Sequence, residues 1–498
     1  DFLGNRSLGV LRDCIIQVNS RNRQDRAIHW DSFSPVDDEG TRKQIEEGDT
    51  LGVFYIESPA TRQLLKKMNR GSYKHIVIAS SIIRPAANRY INEFVRRLQG
   101  GSYKRLPEPM GSLLDENYGI MVYQEDVSRI AIAAGFSVTE ADTLRKVLSR
   151  KDRLKRLAGF EEKFRLKASE KGIDSDLISK LWSGILSFEG YSFSKAHSAS
   201  YSLVSYKLAW IKKYHPLIFY TAVINNGGGF YSRQTYINAV RRYGFTIKGP
   251  DINNSSMEYR AAENTLLAGF LQLKGISVSL LQKILDEREE RGPFQNYLDF
   301  LNRIDPDIAS VRTLVRSGTL DSISEGLTRP QLIWIYFYRD LASDFFGLPA
   351  VPDCIKDYSG SLKLLDEVRT AGLVMSRHPL DIFKKRIPNV FERSGCSRLI
   401  NSREIENNKG YRVSIAGLHT AEKEVRTNKN KVMSFVSFED PYNLFETVIF
   451  PGVYRQYRDI LDKGTAFVIT GVVENEAGSF YVKVDGLFPL FRCSGMSM

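Results

Sequence analysis

Residues 190–216 read GYSFSKAHSASYSLVSYKLAWIKKYHP and predict a long packed helix that begins after a glycine-marked turn. Lys212 and Lys213 fall in the last predicted turn, where the negative end of the helix dipole favours cations, and Pro216 ends the helix. An apolar stripe at three- and four-residue spacing indicates the face that packs. The stripe consists of Tyr201, Val204, Leu208 and Ile211.

Two titratable residues stand at the start of this predicted helix. Lys195 and His197 lie just ahead of the serine-rich residues 198–202. A lysine and a histidine at the positive end of a helix suit an anionic ligand such as a phosphate. The alternative is a core helix in which His197 only caps or hydrogen-bonds, and composition alone favours this alternative. The rest of the chain decides between the two interpretations.

The amino-acid composition is that of an ordinary globular protein, with an excess of positive charge. A chain of 498 residues is too long for one core, so we expect several domains. The net charge of +12 favours a polyanionic partner, with nucleic acid as the first candidate and a generally basic surface as the alternative. Because the chain begins with Asp1 and not with Met, we expect it to be part of a longer product.

The cysteines and the apolar runs favour a cytoplasmic protein. The four cysteines are scattered without a CxxC pair, which argues for reduced thiols and against structural zinc or a disulfide framework. No apolar run is long enough to span a membrane, and residues 1–10 lack the plan of a signal peptide. We therefore expect no membrane partner.

The most basic stretch is RKVLSRKDRLKR at residues 145–156, which holds seven cations and one carboxylate, Asp152. A solvated helix face normally mixes both signs, because like charges four residues apart repel. A one-sided run therefore favours phosphate contacts over a solvated surface. The run overlaps a predicted helix that we expect Thr139 to cap, with Asp142 as its capping-box partner.

Two helical hairpins with glycines follow the turn-rich cluster at residues 246–256. Residues 266–289 and 313–323 each suggest helix, short hairpin and helix, with Gly275 and Gly318 in the hairpins. Helix-hairpin-helix units hold the DNA backbone through hairpin N–H groups without reading bases. We therefore predict DNA contacts at Lys274, Gly275 and Gly318, although any helical hairpin also needs a glycine.

The C-terminal part changes to β-structure. Five alternating or apolar runs predict strands, and the helical pattern GVYRQYRDIL lies between the third and the fourth. Five strands with a helix after the third are the plan of an OB-fold, which commonly binds single-stranded nucleic acid. An OB-fold used only for protein contacts is the alternative. The predicted nucleic-acid contacts at the barrel rim are Lys423, Arg426, Lys429 and Lys431.

Taken together, these segments resemble a known family. DFLGNRSL, GDTLGVFYIES, IIRP, YGIMVYQEDV, EADTLRKVLSRK, FSKAHSASY, PDINNSS, LKGIS and RHPLD occur in the order found in the C-terminal half of bacterial DNA polymerase III alpha subunits, the C-family polymerases. The resemblance covers nearly the whole chain. The residues of the segments IIRPAAN and FSKAHSASY are more similar to those of an accessory or error-prone branch of the family than to those of the main replicase.

The resemblance implies a multidomain, mainly α protein that ends in a small all-β OB-fold barrel. The implied domains are the end of the palm (1–20), the fingers (21–248), a tandem helix-hairpin-helix and clamp-binding region (249–350), a connector (351–405) and the OB-fold (406–498). The implied partners are primer–template DNA, a dNTP, a sliding clamp and other replisome or lesion-bypass subunits. A non-catalytic DNA-binding scaffold with the same modules is the alternative function.

The implied reaction is nucleotidyl transfer from a dNTP to a primer 3′-hydroxyl. In the family, three palm aspartates bind two Mg²⁺ ions, which activate the hydroxyl and stabilise the leaving pyrophosphate. By resemblance Asp1 is the third of these aspartates, the catalytic and metal-binding residue of this chain. Because the other two precede it in the family, we expect this chain alone to be inactive.

The resemblance also implies binding residues. Arg145 and Lys146 match a basic pair placed against the incoming triphosphate, often two arginines in the family, and a lysine lacks the planar fork of arginine. The same nucleotide pocket is implied for Arg150, Lys195 and His197, and DNA contact for Lys151 and Arg153. The clamp-binding peptide corresponds to ASDFF, in which Ala342 replaces the usual leading glutamine and the binding residues are Asp344, Phe345 and Phe346. Alternatively, the two phenylalanines belong to a core.

Overall fold

The computed structural model describes residues 6–21, 27–83, 88–148, 154–188, 194–342, 351–427 and 429–490. The chain divides into two compact units. The helical unit contains residues 27–214 with 477–479, and the mixed unit contains the described residues of 1–21, 215–476 and 480–498. None of the described helices combines the length and the apolar character that a membrane crossing requires. The cysteines that lie in the described residues are free thiols.

The predicted fold class is confirmed: helices dominate the described residues, and a small barrel follows them. The helices are α1 (Arg6–Arg21), α2 (Glu39–Glu46), α3 (Pro59–Met68), α4 (Tyr73–Ile82), α5 (Asn88–Leu98), α6 (Met110–Leu114), α7 (Gln124–Ala133), α8 (Val138–Leu148), α9 (Leu154–Glu170), α10 (Ser175–Leu186), α11 (Lys195–Tyr214), α12 (Pro216–Asn225), α13 (Arg233–Arg242), α14 (Val278–Arg291), α15 (Tyr297–Ile304), α16 (Ile308–Ser317), α17 (Arg329–Ala342), α18 (Gly360–Ala371), α19 (Ile387–Arg393) and α20 (Pro451–Lys463). The strands are β1 (Thr246–Lys248), β2 (Arg260–Ala262), β3 (Thr265–Leu267), β4 (Leu399–Ile400), β5 (Arg412–Arg426), β6 (Val432–Glu439), β7 (Leu444–Ile449), β8 (Ala466–Glu476) and β9 (Ser479–Pro489).

In the helical unit, α7 to α10 enclose one apolar core. Val127, Leu144, Phe164 and Trp182 are buried in it, and the rings of Phe164 and Trp182 lie 5.5 Å apart. Because α8 gives its apolar side to this core, its basic residues lie on the opposite side. The core therefore fixes the direction in which Arg145 points.

The buried face of α11 differs from the predicted apolar stripe. Leu208 and Ile211 are buried as predicted, but Tyr201 and Val204 are only half-buried. Small residues let α4 and α2 pack closely. Two of the buried serine hydroxyls take part in hydrogen bonds: Ser198 Oγ with Ser81 Oγ at 2.7 Å, and Ser205 Oγ with Phe54 O at 2.7 Å. Ser202 Oγ has no hydrogen-bond partner among the described residues. The fully buried small residues are Ser198, Ser202, Ser205 and Ala209.

The C-terminal turn of α11 carries a buried cation. Lys212 lies in the last turn, as predicted, but its side chain is 0% exposed. Its Nζ donates to the backbone oxygen of Asp49 at 2.8 Å and lies 2.6 Å from Oδ1 of the same residue. Lys212 therefore ties α11 to the loop of residues 48–57. Pro216 is the first residue of α12, so the predicted helix end is confirmed.

In the mixed unit, α1 packs on α12, and α12 packs on α13. A small sheet with strand order β1–β3–β2 follows, and then α14 to α17 surround a second core that includes Ile284, Phe300, Leu314 and Leu332. α18 packs against α16, so part of the predicted connector (351–405) contributes to this packing.

The C-terminal strands form a closed barrel with the order β5–β6–β7–β9–β8, and β8 pairs back with β5. β7 pairs with β9 in parallel, whereas β5 pairs with β6 and with β8 in antiparallel register. α20 connects β7 to β8, and Ile415, Val436, Phe438 and Phe467 fill the interior. The predicted five-stranded plan with a helix after the third strand is confirmed, and a closed barrel leaves no unpaired edge.

Candidate functional site

The N-terminus of α7 is the centre of the candidate nucleotide site in the helical unit. The Asp126 carboxylate accepts hydrogen bonds from the backbone N–H groups of Val122 and Tyr123, both at 2.9 Å. Asn117 Nδ2 donates to the same oxygen at 3.2 Å, and burial raises the pKa of Asp126. A buried carboxylate on backbone donors holds a helix start in one position. Gln124 and Glu125, the first two residues of α7, are therefore held in a fixed position.

Arg145 reaches this centre from α8. Its Nη1 donates to Gln124 Oε1 at 3.4 Å, and its Nη2 lies 2.7 Å from Asp142 Oδ1. Lys146 Nζ pairs with the other oxygen of Asp142 at 2.7 Å. Hydrogen bonds from Lys146 and then from Arg145 lower the pKa of Asp142. One carboxylate therefore orients both members of the predicted triphosphate-binding pair.

The predicted cap of α8 is wrong, and the difference explains this role of Asp142. Ser137 Oγ accepts from Glu140 N at 3.2 Å, and Glu140 Oε2 accepts from Ser137 N at 2.8 Å, so the capping box begins two residues earlier than Thr139. Asp142 consequently lies one turn inside the helix, where i, i+3 and i, i+4 neighbours share its face.

Lys195 reaches the same centre from α11. Its backbone N–H donates to Glu125 Oε2 at 3.1 Å, its ammonium pairs with Glu116, and its Nζ lies 5.5 Å from the centroid of the Tyr123 ring. Arg145 and Lys195, which are remote in the sequence, thus contact the consecutive residues Gln124 and Glu125. We did not predict Glu116, Tyr123, Gln124 or Glu125, although all four lie in or near the quoted motif YGIMVYQEDV.

His197 lies on the exposed side of the first turn of α11. Its backbone N–H donates to Ser194 Oγ at 3.2 Å, which caps the helix start. Its ring lies 4.4 Å from the Tyr201 ring and 6.4 Å from the Tyr55 ring, centroid to centroid. His197 is therefore not a core histidine, which was the alternative interpretation of this segment.

Several predicted residues lie outside the described residues. They are Asp1, Arg150, Lys151, Arg153, Asp344, Phe345 and Phe346. The predicted metal site, residues 149–153 of the basic run and the predicted clamp-binding peptide therefore lie outside the described residues. Within the described part of the chain, no group of three or more histidine, cysteine or carboxylate side chains is arranged to hold a metal ion.

The first predicted hairpin has the geometry of a backbone-binding turn. It follows a short 3-10 helix (Phe270–Gln272) and precedes α14, whose first turn Ser277 caps. Gly275 has a φ of +79°, and a Cβ added to it would meet open space, so another backbone or a phosphate can approach closely. Lys274 is exposed, and its N–H donates to Thr370 O at 2.7 Å.

The second hairpin is not at Gly318, and this prediction is corrected. Gly318 ends α16 with a φ of +82°, and a Cβ added to it would lie 2.2 Å from Arg329 Nη2. The counterpart of Gly275 is Gly326, with a φ of +86° and open space around it, after a 3-10 helix and before α17. A glycine at a helix C-terminus resembles a hairpin glycine in sequence. Gly275 in KGIS and Gly326 in EGLT therefore share their local geometry, and Glu325 stands in the position of Lys274.

The barrel combines cations with aromatic rings on one outer face. Lys423 lies opposite Phe435, Phe435 opposite Val448, and Val448 opposite Lys483, so the four residues cross neighbouring strands in one row. Directly paired residues share a face of a sheet. Phe435 is 40% exposed, and Lys483 Nζ lies 5.4 Å from the ring of the exposed Phe450. We did not predict the two phenylalanines or Lys483.

The predicted lysines of the β5–β6 hairpin line a pocket of about 500 Å³ at one end of this face. Lys429 and Lys431 face Pro451 and Gly452, the first residues of α20, across the pocket. Arg426 Nη1 donates to Asn430 Oδ1 at 3.0 Å within the hairpin. Together with the row from Lys423 to Lys483, these residues form what we call the barrel face.

Comparison with known proteins places these sites in a family context. Residues 7–172 match the family described as bacterial DNA polymerase III alpha subunit finger domain, and residues 244–332 match the helix-hairpin-helix motif. The second match includes Gly275, Gly318 and Gly326, and the first ends before α11.

The chain is also similar to curated proteins named DNA polymerase III subunit alpha. It is 28% identical to that of Staphylococcus epidermidis, over 98% of this chain and 46% of the relative. The Aquifex aeolicus protein is 29% identical, over 97% of this chain and 41% of the relative. The Saccharopolyspora erythraea protein is 28% identical, over 98% of this chain and 43% of the relative. The chain therefore spans less than half the length of these relatives.

Proposed function

We propose that this chain, which belongs to the bacterial DNA polymerase III alpha subunit family, provides the nucleotide-binding and DNA-binding part of a template-directed DNA polymerase. The proposed reaction is nucleotidyl transfer from a dNTP to a primer 3′-hydroxyl. The observation that carries the proposal is the convergence of Arg145 and Lys195 on Gln124 and Glu125. Lys195 contacts Glu125 through its backbone N–H, and its ammonium pairs with Glu116. Cations from two helices beside one helix start suit a triphosphate.

The carboxylates of this site hold its cations in place. Asp142 orients Arg145 and Lys146, and Glu116 orients Lys195. A triphosphate carries several charges and more acceptor oxygens than one carboxylate, so it competes for the same donors. A nucleotide entering the site would therefore exchange partners with side chains that already point toward it, which reduces the entropy lost on binding.

The proposed metal chemistry lies outside the described residues. When bound, two Mg²⁺ ions would activate the attacking hydroxyl and stabilise the leaving pyrophosphate. Asp1, the ligand that the family resemblance implies, is not among the described residues. The described residues would bind the triphosphate and orient it toward the primer.

DNA would be held by the Gly275 hairpin and by the barrel face. An open glycine hairpin ahead of a helix suits a backbone phosphate. Phe435 and Phe450 beside Lys423 and Lys483 offer what single-stranded DNA needs, which is aromatic faces for bases and cations for the backbone. The Gly326 hairpin has the same shape, but its preceding residue is the acidic Glu325, which repels phosphate.

Phe435→Ala should lower the affinity of the protein for single-stranded oligonucleotide about tenfold, since stacking of a base on an aromatic ring contributes about 1–3 kcal/mol. Fluorescence anisotropy with a labelled oligothymidine at fixed salt measures the change. Tyr411→Ala is the matched control, because Tyr411 is also an exposed barrel aromatic but lies outside the barrel face. Equal losses in both variants would contradict the assignment of this face.

Primer extension by the full-length protein tests the proposed function. We expect template-directed incorporation that requires a divalent cation. Tight primer–template binding without incorporation, at any nucleotide concentration, would instead favour the alternative of a non-catalytic DNA-binding scaffold. The residues before Asp1 in the full-length protein provide a second test, because the enzyme needs two further, closely spaced aspartates there.

The remaining partners are proposed from the resemblance alone. Sliding-clamp binding through Asp344, Phe345 and Phe346, contacts with other replisome or lesion-bypass subunits, and membership of an accessory branch stay predictions. A cytoplasmic location, inferred from the scattered cysteines, is likewise a prediction.

A further inference from the structure

The turn that precedes α7 contains two consecutive residues in the left-handed region of backbone conformation. Tyr118 has a φ of +55° and Gly119 a φ of +75°. Glycine adopts such angles freely, but in other residues the Cβ approaches the following carbonyl oxygen. A tyrosine keeps this conformation only where its surroundings impose it. The contacts of Tyr118 therefore show which residues hold the turn.

Arg97, near the C-terminal end of α5, is bound to this turn. Its Nη1 donates to the backbone oxygen of Tyr118 at 2.7 Å, and its Nε donates to Glu93 Oε1 at 2.7 Å. Its guanidinium carbon lies 4.4 Å from the centroid of the Tyr103 ring. A Cβ added to Gly119 would lie 3.0 Å from Nη1, so the glycine makes this close approach possible. The Arg97 side chain is 18% exposed, which means that protein contacts enclose most of it.

The residues just before Tyr118 belong to the candidate site. Glu116 pairs with the ammonium of Lys195. Asn117 is buried, and its Nδ2 donates at 3.2 Å to Asp126, the carboxylate that holds the start of α7. Because the turn joins these residues to α7, its dihedral angles decide where Glu116 and Asn117 lie relative to that helix start. A group that fixes Tyr118 therefore also fixes the partners of Lys195 and Asp126.

We propose that Arg97 is a positioning residue for nucleotide incorporation, which holds Tyr118 in the left-handed conformation and thereby keeps the two preceding residues at the start of α7. The inference rests on the proposed function and adds to it a residue on another helix. The hydrogen-bond partners of Arg97 belong to α5 and to the turn, so Arg97 acts through the turn and not as a ligand of the triphosphate. Without its charge-assisted hydrogen bond, the turn can relax toward more favourable angles, and Glu116 moves away from Lys195.

A purely structural role is the competing explanation. An arginine that only stabilises the helical unit would lower thermal stability when it is replaced, and every activity of the protein would fall with the folded fraction. Loss of a positioning residue instead raises KM for dNTP in a folded protein. Primer–template affinity should then stay near that of the wild type, because we assign DNA binding to the Gly275 hairpin and the barrel face.

Arg96 offers a matched control one residue earlier in α5. It also pairs with Glu93, with 2.7 Å between its Nη2 and Oε1 of the glutamate. Its Nη1 donates to Ser102 O at 2.9 Å, whereas the Nη1 of Arg97 donates to the turn. Arg96→Gln and Arg97→Gln therefore remove the same charge and the same kind of ion pair, and they differ in the contact with Tyr118.

The test is steady-state primer extension by the full-length protein, with primer–template affinity and thermal unfolding measured on the same variants. We expect Arg97→Gln to raise KM for dNTP about tenfold with little change in kcat; a tenfold change corresponds to about 1.4 kcal/mol. Arg97→Lys should show a smaller rise, because lysine can still donate to the Tyr118 oxygen but lacks the planar fork. Arg96→Gln should keep the wild-type KM.

A double variant tests the turn itself. Arg97→Gln should raise KM less in a Tyr118→Gly background than in the wild type, because glycine adopts the left-handed conformation without help from Arg97. The loss of the Tyr118 ring, which packs on Phe94 at 5.7 Å, occurs in both members of this comparison and cancels. Equal effects of Arg97→Gln in the two backgrounds would contradict the proposed action through the turn.

Three further results would overturn the positioning role: an unchanged KM in folded Arg97→Gln, an equal rise in Arg96→Gln, or equal losses of nucleotide and primer–template affinity. If Arg97→Gln does not fold, Arg97→Lys replaces it, and a wild-type KM in Arg97→Lys has the same meaning. If the wild type extends primers and Arg97→Gln matches its KM, the proposed function remains and only the positioning role is lost.

A wild type that binds dNTP but extends no primer removes the polymerase proposal instead. Equilibrium dialysis with a radiolabelled dNTP then decides the positioning role. A weaker affinity in Arg97→Gln than in Arg96→Gln supports this role, and equal affinities in the two variants remove it.

Discussion

Arg145→Ala should lower kcat/KM for nucleotide incorporation by the full-length protein about 100-fold, which corresponds to about 2.7 kcal/mol. Arg145 lies between Asp142 and Gln124 and points along the start of α7, where we place the triphosphate. Charge-assisted hydrogen bonds to an ionised group contribute about 1.5–3 kcal/mol each. Primer–template affinity should change little, because we propose that DNA is held by the Gly275 hairpin and the barrel face.

Steady-state kinetics and DNA-binding measurements on the same variants check this result. Arg145→Lys should fall between the wild type and Arg145→Ala, since lysine keeps the charge but loses the planar fork. Arg165→Ala is the matched control, because Arg165 of α9 also pairs with a carboxylate of its own helix, Glu161, at 2.8 Å. Equal losses of incorporation and of duplex binding in Arg145→Ala would mean that Arg145 contacts the template backbone instead.

Arg242→Met should destabilise the mixed unit by about 3 kcal/mol, because it leaves an unpaired carboxylate in the interior. Glu439 of β6 is 1% exposed. Among the described residues, its carboxylate oxygens accept hydrogen bonds from two side chains of α13: Arg242 Nη1 at 3.2 Å and Asn238 Nδ2 at 2.8 Å. The pair attaches the barrel to α13. Thermal unfolding of the chain, followed by circular dichroism, measures the loss.

The loss of stability caused by Arg242→Met should depend on pH. Burial raises the pKa of Glu439, and Arg242 opposes this effect. Between its ordinary pKa and its raised pKa, the folded chain binds more protons than the unfolded chain, so stability falls as pH rises through that window. Removing Arg242 raises the pKa of Glu439 in the folded chain further. The loss of stability in Arg242→Met should therefore be smaller at pH 5, where Glu439 is more often protonated, than at pH 8. The double variant Arg242→Met/Glu439→Gln should recover much of the stability; a deficit that is independent of pH and of Glu439 would contradict this account.

The C-terminal barrel was the most predictable part of the fold. Alternation in β5 to β9 and the helical pattern of α20 specify strand number, order and the inserted helix, because each signal is local. The end of α11 before Pro216 was predictable for the same reason. The buried face of α11 was not, since Ser198, Ser202 and Ser205 have no apolar signature and become buried only because other segments pack against this helix.

The candidate site shows the same division. One-sided charge predicted an anionic ligand at Arg145 and Lys146, and the family resemblance extended this prediction to Lys195. Their carboxylate partners were missed, because an acidic residue next to a basic one in space leaves no periodic pattern in the chain. The hairpin glycine was misplaced at Gly318 for a related reason: a helix C-cap and a DNA-binding hairpin both need a left-handed residue, and only packing by Arg329 distinguishes them.

By itself, the sequence determined the fold class, the order of the helices and barrel strands, the excess of positive charge and the family to which the chain is similar. The first three properties follow from local propensity, periodicity and composition, and the similarity to the family follows from motifs that occur in the family's order. Only the tertiary structure decided that Arg145 and Lys195 meet at Gln124 and Glu125, that Lys212 is buried, and that Arg97 contacts the left-handed residue Tyr118. Such contacts depend on which surfaces pack together, and packing is a property of the whole fold, which no single segment specifies.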